Sequence, residues 1–329
     1  MGRTRCLRSG LGVVLQNLCV AAVYYGAAEI GLVHALDIGA MRVVRPQMGV
    51  AVAALLLLGL RVWPGVALGS FCLNLLVHDN AAASLGIAFG STIGVVSACL
   101  LLKRTGFRNQ LDRLQDAIAL VVVGALVSAA VSASVGVLLL AGLEVPAAYG
   151  TRWLAVWMGS AIGVLLLAPF LLTIRHPRLP PGASPVEAAG LLVVTVVVMA
   201  LVSRSSISLL FLAYPLLIWA ALRFQALGAA TCSLLTSAVA LYAASHGWGI
   251  FAGEHLISNL ILIHAFMWST TLTALVLAAI IAERNRARVE IECAAGQLYA
   301  AVEKLDQCLR PPGLPPQRPP TRGPRETQR

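Results

Sequence analysis

At 329 residues, 59% hydrophobic and 12% charged, with a mean hydropathy of +0.85, the chain carries roughly half the ~25% charge of a soluble domain. One water-soluble core cannot hide so large an apolar surplus. The composition therefore predicts an all-α polytopic transmembrane helix bundle and excludes a soluble enzyme, a nucleic-acid module and a secreted disulfide scaffold. The net charge of +10 gathers at the termini and beside apolar runs, which suits anionic headgroups rather than nucleic acid.

Residues 1–10 form a basic start with Arg3, Arg5 and Arg8. No Ala-x-Ala-like cleavage site closes the apolar run that follows, so it is read as a retained first span rather than a removed signal. A spanning helix needs about 20 mostly apolar residues. Runs that meet this are Leu11–Ile30, Ala81–Leu102, Ala117–Leu143, Trp153–Ile174, Val186–Val202, Ala226–Ser245 and Leu256–Ala282. Shorter runs at Pro46–Leu60, Pro64–His78 and Ile207–Leu222 reach only about 23 Å against a hydrocarbon core near 30 Å. They are either short buried spans or re-entrant hairpins, which are allowed where protein surrounds the backbone. The expected count is eight to ten spans within a membrane-embedded domain, 11–282.

With ten spans, Arg3, Arg5, Arg8, Arg61, Lys103, Arg104, Arg108, Arg113, Arg175, Arg178, Arg223, Arg284, Arg286 and Arg288 fall on one side, and Arg42, Arg45, Arg152 and Arg204 on the other. Positive residues mark the cytoplasmic side. Both termini are therefore expected in the cytoplasm. Small residues four apart, from Gly124 through Ser128 and Ser132 to Gly136, predict close helix packing.

Residues 283–309 turn polar, with Ile291, Ala295, Leu298, Val302, Leu305 and Leu309 spaced 4, 3, 4, 3, 4. That is a heptad seam, and next to a membrane helix it predicts a homodimer, because tethering raises effective concentration. An amphipathic helix lying on the bilayer is the competing account of the same pattern. Residues 310–329, opening with Pro-Pro-Gly-Leu-Pro-Pro, are too proline-rich to fold.

No Walker loop, zinc-protease helix, nucleophile elbow or Rossmann glycine pattern occurs. The seven cysteines show no CxxC spacing. No catalysis, metal or cofactor is expected. Polar groups at the spans are the ligand-binding candidates, since burying them in lipid is expensive. Glu29, His34 and Asp37 form one outward group, Asn74, His78 and Asp79 a second, and His246, Trp248, Glu254 and His255 a third. His264 lies deeper in the last span. Trp153, Trp157 and Trp219 fit an aromatic belt, with stacking on a ligand as the alternative. Arg61, beside Pro64, and Arg223 sit in tight turns between apolar runs. They act either as topology anchors or, if the short runs are re-entrant, as deep cations needing a carboxylate or anionic ligand. Their two segments look loosely alike, as a duplicated half would.

Three spaced motifs carry a resemblance. Pro46-x-x-Gly49 with Gly59-Leu-Arg61-Val-Trp63-Pro64-Gly65 is the first. Trp153-x-x-x-Trp157-x-Gly159-x-x-x-Gly163 with Ala168-Pro169 is the second, and Tyr214-Pro215 through Trp219 to Arg223-Phe224 the third. Over about residues 10–285 the chain resembles the bacterial membrane-associated sensor domain of the first MASE type. The resemblance implies an integral membrane sensory module of the kind followed by a histidine kinase or diguanylate cyclase. Ser160 stands where the family often has an acid. The chain shows no effector, so its output is expected to pass to a separate kinase or cyclase. The stimulus is an unidentified small molecule or membrane signal. A small-molecule permease is the competing expectation, since ten spans with interrupted helices also suit alternating access.

Overall fold

The computed structural model describes residues 2–33, 44–78, 80–111, 113–140, 149–175, 184–205, 209–251 and 256–309. Among them every regular element is helical, as lipid demands of a chain that must satisfy each backbone group internally. In order these are α1 (Gly2–Val33), α2 (Pro46–Leu58), α3 (Trp63–His78), α4 (Ala81–Arg104), α5 (Leu114–Ala119), α6 (Ser128–Leu140), α7 (Tyr149–Arg175), α8 (Pro185–Arg204), α9 (Ala213–Ser245) and α10 (Leu256–Leu309). The chain divides into two units, Met1–Glu283 and Arg284–Arg329. Among the described residues, seven stretches are long and apolar enough to cross a membrane: Leu60–Val77, Ala81–Arg104, Leu114–Leu139, Tyr149–Arg175, Pro185–Arg204, Leu210–Ser245 and Ser258–Leu305. The expected span at Leu11–Ile30 lies within α1, which is not among the seven, and the expected run Pro46–Leu60 is α2, a shorter apolar helix.

The short apolar runs form hairpins. Helix α2 is only thirteen residues, about 20 Å, yet ten of them are buried; protein, not lipid, covers it. Its C-terminal carbonyls find partners, as buried helix ends require. Leu55 O accepts from Gly59 N at 3.1 Å, and Leu56 O accepts from Asn109 Nδ2 at 2.9 Å. Gly59 has φ 88°, a conformation that glycine adopts without a Cβ clash. A short 3-10 turn, Leu60–Val62, then reverses the chain into α3. Helix α1 runs parallel to α3, pinned by one amide. Asn17 Oδ1 accepts from Gly65 N at 2.7 Å, while Asn17 Nδ2 donates to Arg61 O at 3.3 Å. One turn further along both helices, a Cβ on Gly69 would sit 3.0 Å from Ala21 O.

The second hairpin lies inside α9. Gln225 has φ 54° and ψ −142°, which splits the helix into 213–224 and 226–245. Helix α8 runs parallel to the second half. Glu187 in its first turn meets Arg223 at the hairpin tip, Thr195 Oγ1 lies 3.5 Å from Cys232 Sγ, and Ser203 O presses on Gly249 near the far end. Each hairpin is thus strapped to the long helix preceding it.

The small-residue stripe brings α4 and α6 into close contact. A Cβ on Gly94 would stand 2.7 Å from Ser132 Cβ, and one on Gly90 would stand 2.9 Å from Gly136 N. Around the first residue of this stripe, Gly124, the segment Leu120–Val127 is π-helical. The i→i+5 pattern of such a segment is rare and occurs mostly as single-turn bulges at functional sites.

Candidate functional site

The first two sequence motifs turn out to be the two sides of one contact. Arg45 N donates to Gly159 O at 3.0 Å. A Cβ added to Gly163 would overlap Arg45 O, and one added to Gly49 would overlap Gly163 O. The start of α2 is therefore seated directly on α7, with no side chain between the backbones. Next to Gly159, Ser160 is fully buried and its Oγ has no hydrogen-bond partner.

Trp153 and Trp157, one turn apart on α7, stack with ring centroids 5.5 Å apart. Trp153 Nε1 donates to Ser134 Oγ at 3.0 Å. Trp157 Nε1 donates to Leu126 O at 3.0 Å, inside the π segment. Both indole N–H groups are spent on protein partners, and Trp157 gives a π-segment carbonyl a partner from another helix. Replacing Trp157 by Phe keeps most of the ring and removes the donor. It is expected to cost about 1–3 kcal/mol, the penalty of an unsatisfied buried carbonyl. Trp153→Phe, which frees a hydroxyl able to rotate elsewhere, is expected to cost clearly less; thermal unfolding in detergent separates the two. Trp219 is well exposed on α9 and joins neither tryptophan.

A polar seam lies where α9 and α10 meet. His264 is 9% exposed, and its Nδ1 lies 2.8 Å from Leu260 O, one turn back. Tyr214 OH donates to Ser269 Oγ at 2.8 Å, and Ser233 Oγ donates to Thr271 Oγ1 at 3.2 Å. Thr270 and Thr273 return their hydroxyls to carbonyls of α10. A cavity of ≈ 20 Å³ among Pro169, Thr173, Ser233 and Thr271 has room for one water. Elsewhere, Ser203 on α8 and Ser237 on α9 have buried hydroxyls without partners. Hydroxyls that satisfy themselves on their own helix can exchange partners across the helix pair at little cost, which apolar packing cannot do.

Of the outward groups, His34, Asp37, Asp79, Glu254 and His255 lie outside the described residues, and so does the side chain of His78. Glu29 is half-buried and accepts a hydrogen bond from Tyr25. Asn74 is buried and spends its amide on Ser70 O at 2.7 Å. His246 belongs to an aromatic cluster, with Tyr242 at 4.2 Å and Trp248 at 5.3 Å between centroids. Arg204 Cζ lies 4.9 Å over the Trp248 ring, a cation–π geometry. The sequence did not signal Arg204 or Tyr242 as members.

The two hairpin arginines part company. Arg223 makes a two-pronged contact with Glu187, at 2.6 and 2.7 Å. It thus finds the carboxylate that a cation in this setting requires. Arg61 is exposed at its turn, and Pro64 occupies the first turn of α3, where a missing N–H costs nothing. Asp116, which the sequence reading passed over, is buried; its Oδ1 accepts from Arg108 N at 3.1 Å, and its Oδ2 has no partner. In the second unit Ile291, Leu298, Val302 and Leu305 are all exposed. Among the described residues no group of three His, Cys, Asp or Glu could hold a metal ion.

The motif residues thus bring helix backbones into contact, and the last helix carries a buried polar seam. The family model for MASE1 matches residues 15–285, and the chain belongs to that family. MASE1 is a membrane-associated sensory domain, so this is a membrane sensory protein. No curated protein and no solved structure matches the chain.

Proposed function

We propose that the chain is the signal-input part of a bacterial inner-membrane system with both termini in the cytoplasm. A stimulus shifts α10 against α9, and residues 284–309 deliver that shift, as a homodimer, to a cytoplasmic histidine kinase or diguanylate cyclase. The observation that carries this reading is the composition of α10, which has a buried polar seam around His264 and Ser269–Thr273 and, beyond Glu283, exposed apolar residues at heptad spacing. A stimulus acts by binding one arrangement of the seam better than another, and moves the population by that difference in affinity. The outward groups around Glu29 and Asn74, with His246, are the candidate points of entry, and Trp153, Trp157 and Trp219 are proposed as ring surfaces beside them.

The test is crosslinking in native membranes through Val302→Cys. The unaltered seam is expected to give a disulfide-linked dimer. Leu298→Asp together with Leu305→Asp is expected to abolish it while the protein remains in the membrane fraction. Equal crosslinking in both would overturn the relay. The strapped hairpin pair favours one competing reading, a permease with repeated halves. Uptake of solute into proteoliposomes by the purified chain would establish that reading instead.

A further inference from the structure

The face of α3 and α4 turned away from the bundle is grooved. Trp63, Pro64 and Phe71 form one wall, Phe89, Ile93 and Leu100 the other, and the space between them is ≈ 870 Å³. That lies in the range of small-molecule sites, about 300–1,000 Å³, but here the walls are apolar except for Thr92 and Ser97, and several of the wall residues are exposed. An apolar slot on a membrane protein's flank ordinarily holds whatever lipid tail passes. This one has a charged end.

Helices α3 and α4 are consecutive and antiparallel, so the start of α3 lies beside the end of α4. Leu100, the last wall residue of α4, is followed at i+3 and i+4 by Lys103 and Arg104, which continue the same helix face. Trp63, the first wall residue of α3, follows Arg61 in the adjoining turn. All three cations are exposed. Arg61 is the counterpart of Arg223, yet no carboxylate from α1 meets it as Glu187 meets Arg223; Asn17 takes only its backbone oxygen. Tryptophan at the charged end completes the pattern of an aromatic belt residue at headgroup level.

We infer that the α3–α4 groove is a binding site for an anionic phospholipid, with its acyl tails along Phe71, Phe89 and Ile93 and its phosphate among Arg61, Lys103 and Arg104. Lipid rather than soluble phosphate is the occupant because the apolar slot and the cation cluster are one continuous surface, and only a molecule with both ends fills it. Each basic side chain near a membrane surface contributes appreciably to holding an anionic lipid, and three around one headgroup select it over a zwitterionic one.

The test uses the purified full chain, delipidated in neutral detergent and titrated with phosphatidylglycerol or with phosphatidylcholine of the same tails, with bound lipid counted by native mass spectrometry. Phosphatidylglycerol is expected to bind at least about tenfold more tightly. Arg61→Gln with Lys103→Gln and Arg104→Gln is expected to remove that preference while leaving tail-driven binding. Ala67→Trp, which fills the slot from its floor, is expected to lower binding of both lipids. Arg175→Gln, a charge deletion at the end of α7, is expected to change nothing. Should Ala67→Trp fail to fold, the triple glutamine variant alters only exposed side chains and decides alone. Equal affinity for the two lipids would overturn the inference. So would displacement by inorganic phosphate or glycerol phosphate as effective as by lipid, or protection of the groove by a second copy of the chain.

Discussion

Gly163→Ala is expected to prevent the bundle from folding, so that the protein is lost from the membrane fraction and shows no cooperative unfolding transition in detergent. One methyl group is enough because the atom it would strike is Arg45 O, a backbone oxygen. Arg45 N is itself held by Gly159 O at 3.0 Å. A flexible side chain could swing aside; this oxygen can leave only if the start of α2 lifts off α7. Overpacking in a core typically costs about 1–3 kcal/mol where side chains can yield, and separating two backbones exceeds that. Gly49→Ala is expected to behave alike, since its Cβ would overlap Gly163 O. Gly136→Ala is the control, because a Cβ there meets nothing within 4 Å. It is expected to leave stability unchanged or raise it by about 1 kcal/mol, as Ala exceeds Gly in helix propensity. If Gly163→Ala and Gly136→Ala unfold at the same temperature, α2 is not seated on α7 as described.

This contact also marks where the sequence was informative. The motifs Pro46-x-x-Gly49 and Trp157-x-Gly159-x-x-x-Gly163 were visible as spaced small residues, and glycines four apart on a membrane helix signal close packing. That they belong to each other was not visible, because nothing in either run specifies a partner more than a hundred residues away. The same holds for Glu187 and Arg223. Arg223 stood out in its turn, but Glu187 went unremarked within the run Val186–Val202, and their pairing depends on α8 running alongside α9. The breaks at Gly59 and Gln225 were legible, since a basic residue and a change of residue type interrupt each apolar run. The π segment was not. Leu120–Val127 is apolar on all sides except for Gly124 and Ala125, so its periodicity carries no mark of one more residue per turn. The hydroxyl seam was equally silent, because Ser and Thr in a span read as small packing residues until a second helix brings Tyr214 to Ser269 or Ser233 to Thr271. Asp116 escaped because it stands at the edge of an apolar run, where an acid is ordinary; only the fold shows that it is buried.

The two hairpin straps differ in chemistry, and that difference predicts different sensitivities. Asn17 is 9% exposed and satisfies both Gly65 N and the Arg61 carbonyl. Asn17→Leu removes the acceptor from an amide at the start of α3 and leaves that amide buried, a loss of about 1–3 kcal/mol for the donor alone. Asn17→Asp keeps an acceptor for Gly65 N but sets a buried carboxylate oxygen against the Val13 and Arg61 carbonyls, so it is expected to lose at least as much. The Arg223–Glu187 pair is 36% and 32% exposed at its side chains, so solvent screens it and its worth falls toward the surface range, below about 1 kcal/mol. Glu187→Gln is therefore expected to lower stability less than Asn17→Leu, although it removes a formal charge and Asn17→Leu removes none. Exchanging the partners, Glu187→Arg with Arg223→Glu, is expected to recover most of what either single change loses. Unfolding midpoints of these variants in one detergent decide the matter. A larger loss from Glu187→Gln than from Asn17→Leu would place the ion pair in a drier setting than its exposure indicates. Arg61, which has no such carboxylate partner among the described residues, would then differ more sharply from Arg223.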